Sequence, residues 1–408
     1  MAGKHDPPPA QERRDLAEFA IVLDVGLALI LAILFFAIQV LGKSAGPGSQ
    51  AGSHDFVSYW ATGRQLIHHA NPYDRDAISA LEHAAGLDVR AVLIMRNPPW
   101  ALPLAYPLGF LSLRVAAILW SLLLLACLLL SVRIARQLYG SPANHLHWLA
   151  LAFTPALICL TMGQTALFAL LGLALFLRWH GSRPFLAGAA LWLCALKPHL
   201  FLPFAAALAA WVLVSPVFSR AWKVPAGAAA ALALSSAVAS LIDPHAWLDY
   251  IRLMRSPAVE NEFIPCLSSA LRQWIDQLFD VQAAWLQYLP TALCCLWALV
   301  YFWRRRATWD WKTHGSLLML VSLVAAPYCW FYDQCLAIPA LLEGAYATRS
   351  RNLLAVLALA IFVMDIEICA VHVTSPLYLW TSPAWLAWYL FARRMPIHRA
   401  AGPASTTS

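Results

Sequence analysis

The chain has 408 residues, 61% hydrophobic and only 12% charged, with a mean hydropathy of +0.64. Soluble domains carry about 25% charged residues, so this composition excludes a soluble globular protein and specifies an all-α polytopic membrane protein. The net charge of +7 comes from Lys and Arg scattered between apolar spans; with no basic stripe interleaved with aromatic platforms, nucleic acid is excluded as a partner.

In chain order, residues 1–18 are a polar tail carrying Pro7-Pro8-Pro9 and Arg13-Arg14. The run from Phe19 to Leu41 has about 23 residues, enough to cross a bilayer and too many for the apolar core of a signal peptide, so it reads as a retained anchor. A Gly/Ser-rich spacer leads to Ser53-His54-Asp55-Phe56 and on to Asn71-Pro72-Tyr73-Asp74. There Phe56, Tyr59, Trp60, Gly63, Leu66 and Ile67 recur at helical spacing, the pattern of a short amphipathic helix in the membrane interface.

Asn97-Pro98-Pro99-Trp100 opens a Pro-punctuated run to Leu111, which is short for a span and reads as re-entrant, followed by a full span from Leu113 to Val132. From His147 the apolar pieces come in short pairs, broken at Met162-Gly163-Gln164, at Arg178 to Arg183 and at Lys197-Pro198-His199. Polar breaks at membrane depth cost several kcal/mol per unsatisfied group unless they line a cavity or the protein interior, so they point to a site. Further spans run from Pro225 to Ile242, Ala283 to Trp303, Gly315 to Trp330, Asp333 to Tyr346, Leu353 to Ala370 and Pro383 to Phe391. Leu248 to Arg252 and Leu267 to Arg272, in the second hydrophilic stretch, read as two more interfacial helices. The total is about a dozen membrane segments.

The domain reading is a single membrane domain over 19–394, with outer loops about 43–97 and 243–282 and cytoplasmic tails at 1–18 and 395–408. The positive-inside rule sets the orientation: Arg133, Arg136, Arg178, Arg183, Arg220, Lys223, Arg304 to Arg306, Arg393 and Arg394 share the cytoplasmic side, and the two acid-bearing loops face outward.

On this topology Asp55, Arg96, Gln164, Lys197, His199 and Asp333 approach the outer face together, with Tyr59 one helical turn beyond Asp55. Asp55 suits a general base at the membrane surface, and equally an N-cap of the helix it opens. Lys197 is either a functional cation at membrane depth or a snorkelling lysine; as an ammonium it suits a phosphate oxygen, and Arg96 can serve the same way. Gln164 either belongs to the site or satisfies backbone groups freed by the break at Gly163. Asp333 reads as a cap that also shapes the site. Asp365 and Glu367 read as surface acids at the outer end of a late span, against the alternative of a proton path.

The nine cysteines show no C-x-x-C or Cys/His metal spacing and read as small buried hydrophobes, with a disulfide considered only between Cys329 and Cys335. No metal or cofactor is called for. No Gly-rich phosphate loop, zinc motif or Gly-x-Ser-x-Gly elbow is present, so nucleotide hydrolysis is unsupported.

Taken in order, Asp55-Phe56 with Asn71-Pro72-Tyr73, Pro98-Pro99, Gly163-Gln164, Leu196-Lys197-Pro198, Ser268 to Arg272 and Pro327 to Asp333 resemble the bacterial glycosyltransferase family 87, also catalogued as domain of unknown function 2029. The resemblance implies a GT-C-like helical bundle of the bacterial cytoplasmic (inner) membrane with an outward-facing active site. It implies transfer of a hexose, mannose in the best-known members, from a polyprenyl-phosphate-linked sugar donor to a lipid or glycan acceptor. The family's catalytic aspartate maps onto Asp55, Lys197 and Arg96 fall to the donor phosphate, and an inverting, metal-independent displacement is implied. The late block departs from the mannose-transferring branch, which carries histidines after its Trp where this chain has Phe331-Tyr332-Asp333-Gln334. The competing class is a transporter or flippase for a lipid-linked or polar solute, since broken helices also mark transport sites; the two large hydrophilic loops differ in sequence and the breaks do not recur in a matched second half.

Overall fold

The computed structural model describes residues 54–86, 93–139, 145–217, 219–255, 264–280, 283–348, 350–371 and 375–394, and every regular element among them is helical. The anchor read over Phe19–Leu41 and both terminal tails lie outside the described residues.

Helix α1 (His54–Ile67) buries Phe56, Tyr59 and Leu66. The apolar side of this segment therefore faces protein. It packs on the Pro-punctuated stretch 99–110, which is a string of short helical turns instead of one re-entrant helix. The cause is local: Pro99, Pro103 and Pro107 each lack the N–H that a continuing helix requires. The contact is made backbone to backbone at Gly63 and Gly109. A Cβ on Gly63 would stand inside contact distance of the Ala105 carbonyl oxygen and 2.7 Å from the Gly109 nitrogen. Trp60 Nε1 donates to the Leu111 carbonyl at 3.0 Å and Arg64 to that of Gly109 at 3.1 Å, which fixes the helix in register. Helix α2 (Arg75–Ala84) follows, capped by the Asp74 carboxylate, which accepts from the Asp76 and Ala77 amides.

Helix α3 (Leu113–Leu138) is 26 residues, longer than the span expected to Val132. At 1.5 Å per residue it is about 39 Å long, more than a bilayer core. Trp120, Leu124 and Leu128 face inward, while Leu119, Leu122 and Leu129 are exposed; a helix apolar all round with one side open is built for lipid. Then come α4 (Thr154–Met162), α5 (Ala166–Trp179), α6 (Pro184–Cys194), α7 (Leu202–Val214), α8 (Lys223–Ile242), α9 (Ala246–Met254) and α10 (Leu267–Phe279). The C-terminal part holds α11 (Leu289–Arg305), α12 (Trp311–Ala325), α13 (Ile338–Ala347), α14 (Arg351–Ala370) and α15 (Thr381–Arg394).

Three stretches among the described residues are long and apolar enough to cross a membrane: Leu113–Leu138, Arg220–Ile242 and Ala284–Thr308. The remaining apolar sequence is divided among shorter helices, Ala166–Trp179, Pro184–Cys194 and Pro198–Val214 among them. The span read over Gly315 to Trp330 is instead α12 ending at Ala325, because Pro327 follows and the chain bends there and runs on as non-helical backbone to Trp330. The next expected span, Asp333 to Tyr346, is a 3-10 turn (Phe331–Ala337) leading into α13. Asp365 is not a surface acid: it is buried in α14, where its Oδ1 accepts from Thr154 Oγ1 at 2.8 Å. Cys329 and Cys335 are both buried free thiols.

Candidate active site

The site forms where three chain breaks meet the first turn of α1. The first break is Gly163, which takes the left-handed conformation (φ 73°) that closes α4; a side chain there would strain the turn. The corner throws Gln164 across to α1, where its Nε2 donates to Asp55 Oδ2 at 2.7 Å. Its Oε1 accepts from the Tyr59 hydroxyl at 3.3 Å. Gln164 is therefore committed to two side chains of α1, and its amide is oriented by what it touches on each side. Burial pushes the Tyr59 hydroxyl far above the usual phenol range, so it stays a donor. Trp120 packs against Tyr59, ring centres 5.4 Å apart, and donates from Nε1 to the Gly163 carbonyl at 2.7 Å. Asp55 itself is the second residue of α1, half-buried.

The second break is Lys197-Pro198. Lys197 is buried, 7% exposed, so it does not snorkel. Its Nζ meets Asp333 Oδ1 at 2.6 Å and lies 4.8 Å from the centre of the Tyr332 ring. Asp333 is fully buried, and its other oxygen accepts from the Trp330 amide at 3.0 Å. This carboxylate therefore caps the third break, the turn after Pro327, while neutralising the lysine. His199 packs edge-on against Tyr328 at 5.0 Å, and its Nε2 is enclosed without a hydrogen-bond partner among the described residues.

Arg96 stands between two anchors. Upstream, both oxygens of the buried Glu82 accept from the Leu93 amide, at 3.1 and 3.3 Å. Downstream, Asn97 Nδ2 donates to the Leu196 carbonyl at 2.7 Å, which ties Arg96 to the Lys197 break. Arg96 is half-buried and has no hydrogen-bond or ion-pair partner among the described residues.

The groups act on one another electrostatically. Asp55 and Lys197 both act on the Tyr59 hydroxyl, Asp55 and Asp333 on Tyr332, and Lys197, Asp333 and Arg96 on Tyr328. All seven residues singled out from sequence thus belong to one neighbourhood. Three that were not singled out, Tyr328, Trp330 and Tyr332, stand among them. Their signal was the density of rings in Tyr328-Cys329-Trp330-Phe331-Tyr332, four in five residues. No group of three or more His, Cys, Asp or Glu suited to a metal ion occurs among the described residues.

A carboxylate held by a neutral amide, facing fixed cations across aromatic rings, is equipped to take a proton from a hydroxyl while negative charge gathers on a departing anion. Compared with known families, the model for glycosyltransferase family 87 matches residues 96–327, more than half the chain. The matched stretch holds Arg96, Gln164, Lys197 and His199, whereas Asp55 and Tyr59 precede it and Asp333 follows it. No curated protein and no solved structure matches the chain.

Proposed function

The chain belongs to glycosyltransferase family 87, and from that premise we propose that it transfers a hexose from a polyprenyl-phosphate-linked donor to a lipid or glycan hydroxyl, at the outer face of a bacterial cytoplasmic membrane. The observation that carries the reading is the pairing of Asp55 in α1 with Gln164, in the same neighbourhood as Lys197 at the second break. A single displacement fits this arrangement. The acceptor oxygen forms the new bond to the anomeric carbon as the bond from that carbon to the phosphate oxygen breaks, and the electron pair leaves with the phosphate. Asp55 takes the acceptor proton. The donor is a phosphodiester with one negative charge and the leaving lipid phosphate gains a second; Arg96 and Lys197 are the cations assigned to that charge.

One displacement inverts the anomeric centre, and side-chain cations suffice for a monophosphate leaving group without a metal. His199 and Tyr59 are assigned to the substrate and Gln164 to orienting the base. Asp333 keeps Lys197 in place. Apolar helices with lipid-suited faces support the membrane location.

The test is to incubate purified protein in nanodiscs with a panel of polyprenyl-phosphate sugars and a membrane lipid extract, beside Asp55→Asn, and follow sugar transfer by mass spectrometry. Transfer from one donor that disappears in Asp55→Asn, with the variant still folded, is the expected result. Full activity in Asp55→Asn would remove the base assignment.

A further inference from the structure

We propose that Tyr328, Trp330 and Tyr332 form the platform on which the donor's sugar ring stacks, with Trp330 as the principal contact; this rests on the donor reading above. After the bend at Pro327 and Tyr328 the chain enters the 3-10 turn at Phe331, and its side chains divide by burial. Cys329, Phe331 and Asp333 are sealed in the core at 2%, 0% and 0% exposure. Tyr332 is enclosed as well, at 6%, whereas Tyr328 and Trp330 remain half-open. The enclosed set belongs to the core, and the two half-open rings lie at its edge with Trp330 backed by Tyr332.

The rings form a continuous row. Tyr328 meets Trp330 edge-on with centres 6.2 Å apart, and Trp330 lies nearly parallel to Tyr332 at 6.1 Å. Trp330 is held at both ends, its amide by Asp333 at 3.0 Å and its indole N–H by the Tyr328 hydroxyl at 2.7 Å. With its single side-chain donor already used, it offers a ligand its ring face and edge and no hydrogen bond. Such a surface suits a sugar, whose polarised C–H groups meet the negative face of the rings while its hydroxyls turn to the rim.

Charged groups stand at both ends of the row. At Tyr328 stand His199 and the field of Arg96; at Tyr332 stand Lys197 and the field of Asp55. A pyranose lying along the row would have a cation near each end and the base at the Tyr332 end. Because the rings are fixed before binding, stacking costs little further side-chain entropy.

The test measures binding to the Asp55→Asn protein in nanodiscs, so that bound donor is not consumed. The probes are polyprenyl-phosphate mannose, polyprenyl-phosphate glucose and polyprenyl methyl phosphate, which shares the chain and the single charge and lacks the sugar. At least one sugar lipid should bind about tenfold tighter than the methyl ester, the scale of one good aromatic contact. Adding Trp330→Ala should abolish that preference and leave methyl ester binding unchanged, while Trp330→Phe keeps most of it. A preference that survives Trp330→Ala overturns the platform. So does an equal loss for all three lipids, which would mark the rings as a seat for the isoprenoid chain or as structural. Failure of the unsubstituted platform to bind any of the three lipids would instead remove the donor class itself, and the proposal with it.

Discussion

Removing one partner of the Lys197–Asp333 pair gives the most direct reading of how the site is held. At 2.6 Å and an effective dielectric of about 20, the attraction between unit charges is about 6 kcal/mol, much of it offset by the desolvation of both groups. Lys197→Met leaves the fully buried Asp333 carboxylate with the Trp330 amide alone, and an uncompensated buried charge typically costs about 3–5 kcal/mol. Asp333→Asn keeps an acceptor for that amide and strands the ammonium instead, at a comparable cost. The double variant Lys197→Met/Asp333→Asn removes both charges and should lose less than the sum of the singles, by about 2–3 kcal/mol. The assay is guanidinium unfolding in mild detergent micelles, followed by near-ultraviolet circular dichroism for all four proteins. Single losses that add within about 0.5 kcal/mol would refute the pairing, since independent sites behave that way.

Three other variants probe the remaining supports. Gln164→Met, which cannot donate to Asp55 or accept from Tyr59, should lower kcat about 10- to 100-fold with KM little changed, because a misplaced base slows the chemistry; steady-state kinetics with the active donor separates this from a change in KM alone. Gly63→Ala puts a Cβ against backbone that cannot move aside and should cost about 1–3 kcal/mol in the same unfolding assay, with activity falling as α1 shifts. Burial raises the Glu82 carboxyl from 4.5 to about 7, so the folded state holds a proton that the unfolded chain releases. That stability is present below about pH 4.5, declines as pH rises and is gone by about pH 7, a loss of roughly 3 kcal/mol at about 1.4 kcal/mol per unit. Unfolding free energies measured from pH 4.5 to 8 should fall for the parent protein by roughly 3 kcal/mol more than for Glu82→Gln.

Chemistry was easier to find in the sequence than geometry. Gln164 and Lys197 stood out because polar groups at membrane depth need a reason to be there, and Asp55 because it heads the amphipathic segment where the chain leaves the membrane; each has a partner in the fold. Which partner each one takes was not legible. Lys197 and Asp333 are 136 residues apart, and hydropathy carries no record of a pairing at that distance. Spans were misjudged where proline intervenes: an apolar run registers as one segment, yet Pro327 splits Gly315–Trp330 into a helix and a bent, non-helical stretch. The same effect hid the row of rings, because Tyr328 and Trp330 sat inside the run read as that span. Asp365 was misplaced because its partner Thr154 lies 211 residues away.

The Lys197–Asp333 separation also bears on how the protein is made. Lys197 enters the membrane 136 residues before its counter-ion is synthesised. Until then its ammonium has no opposite charge at its final position and is held at the water interface by the cost of carrying it inward alone. Arrival of the turn at Asp333 supplies that charge and draws the lysine into place, and the same turn brings Trp330 and Tyr332 beside α1. Seating of the lysine and formation of the aromatic turn are thereby a single event: a chain stopped before Asp333 carries Asp55 and the Gln164 amide but lacks the carboxylate that holds Lys197.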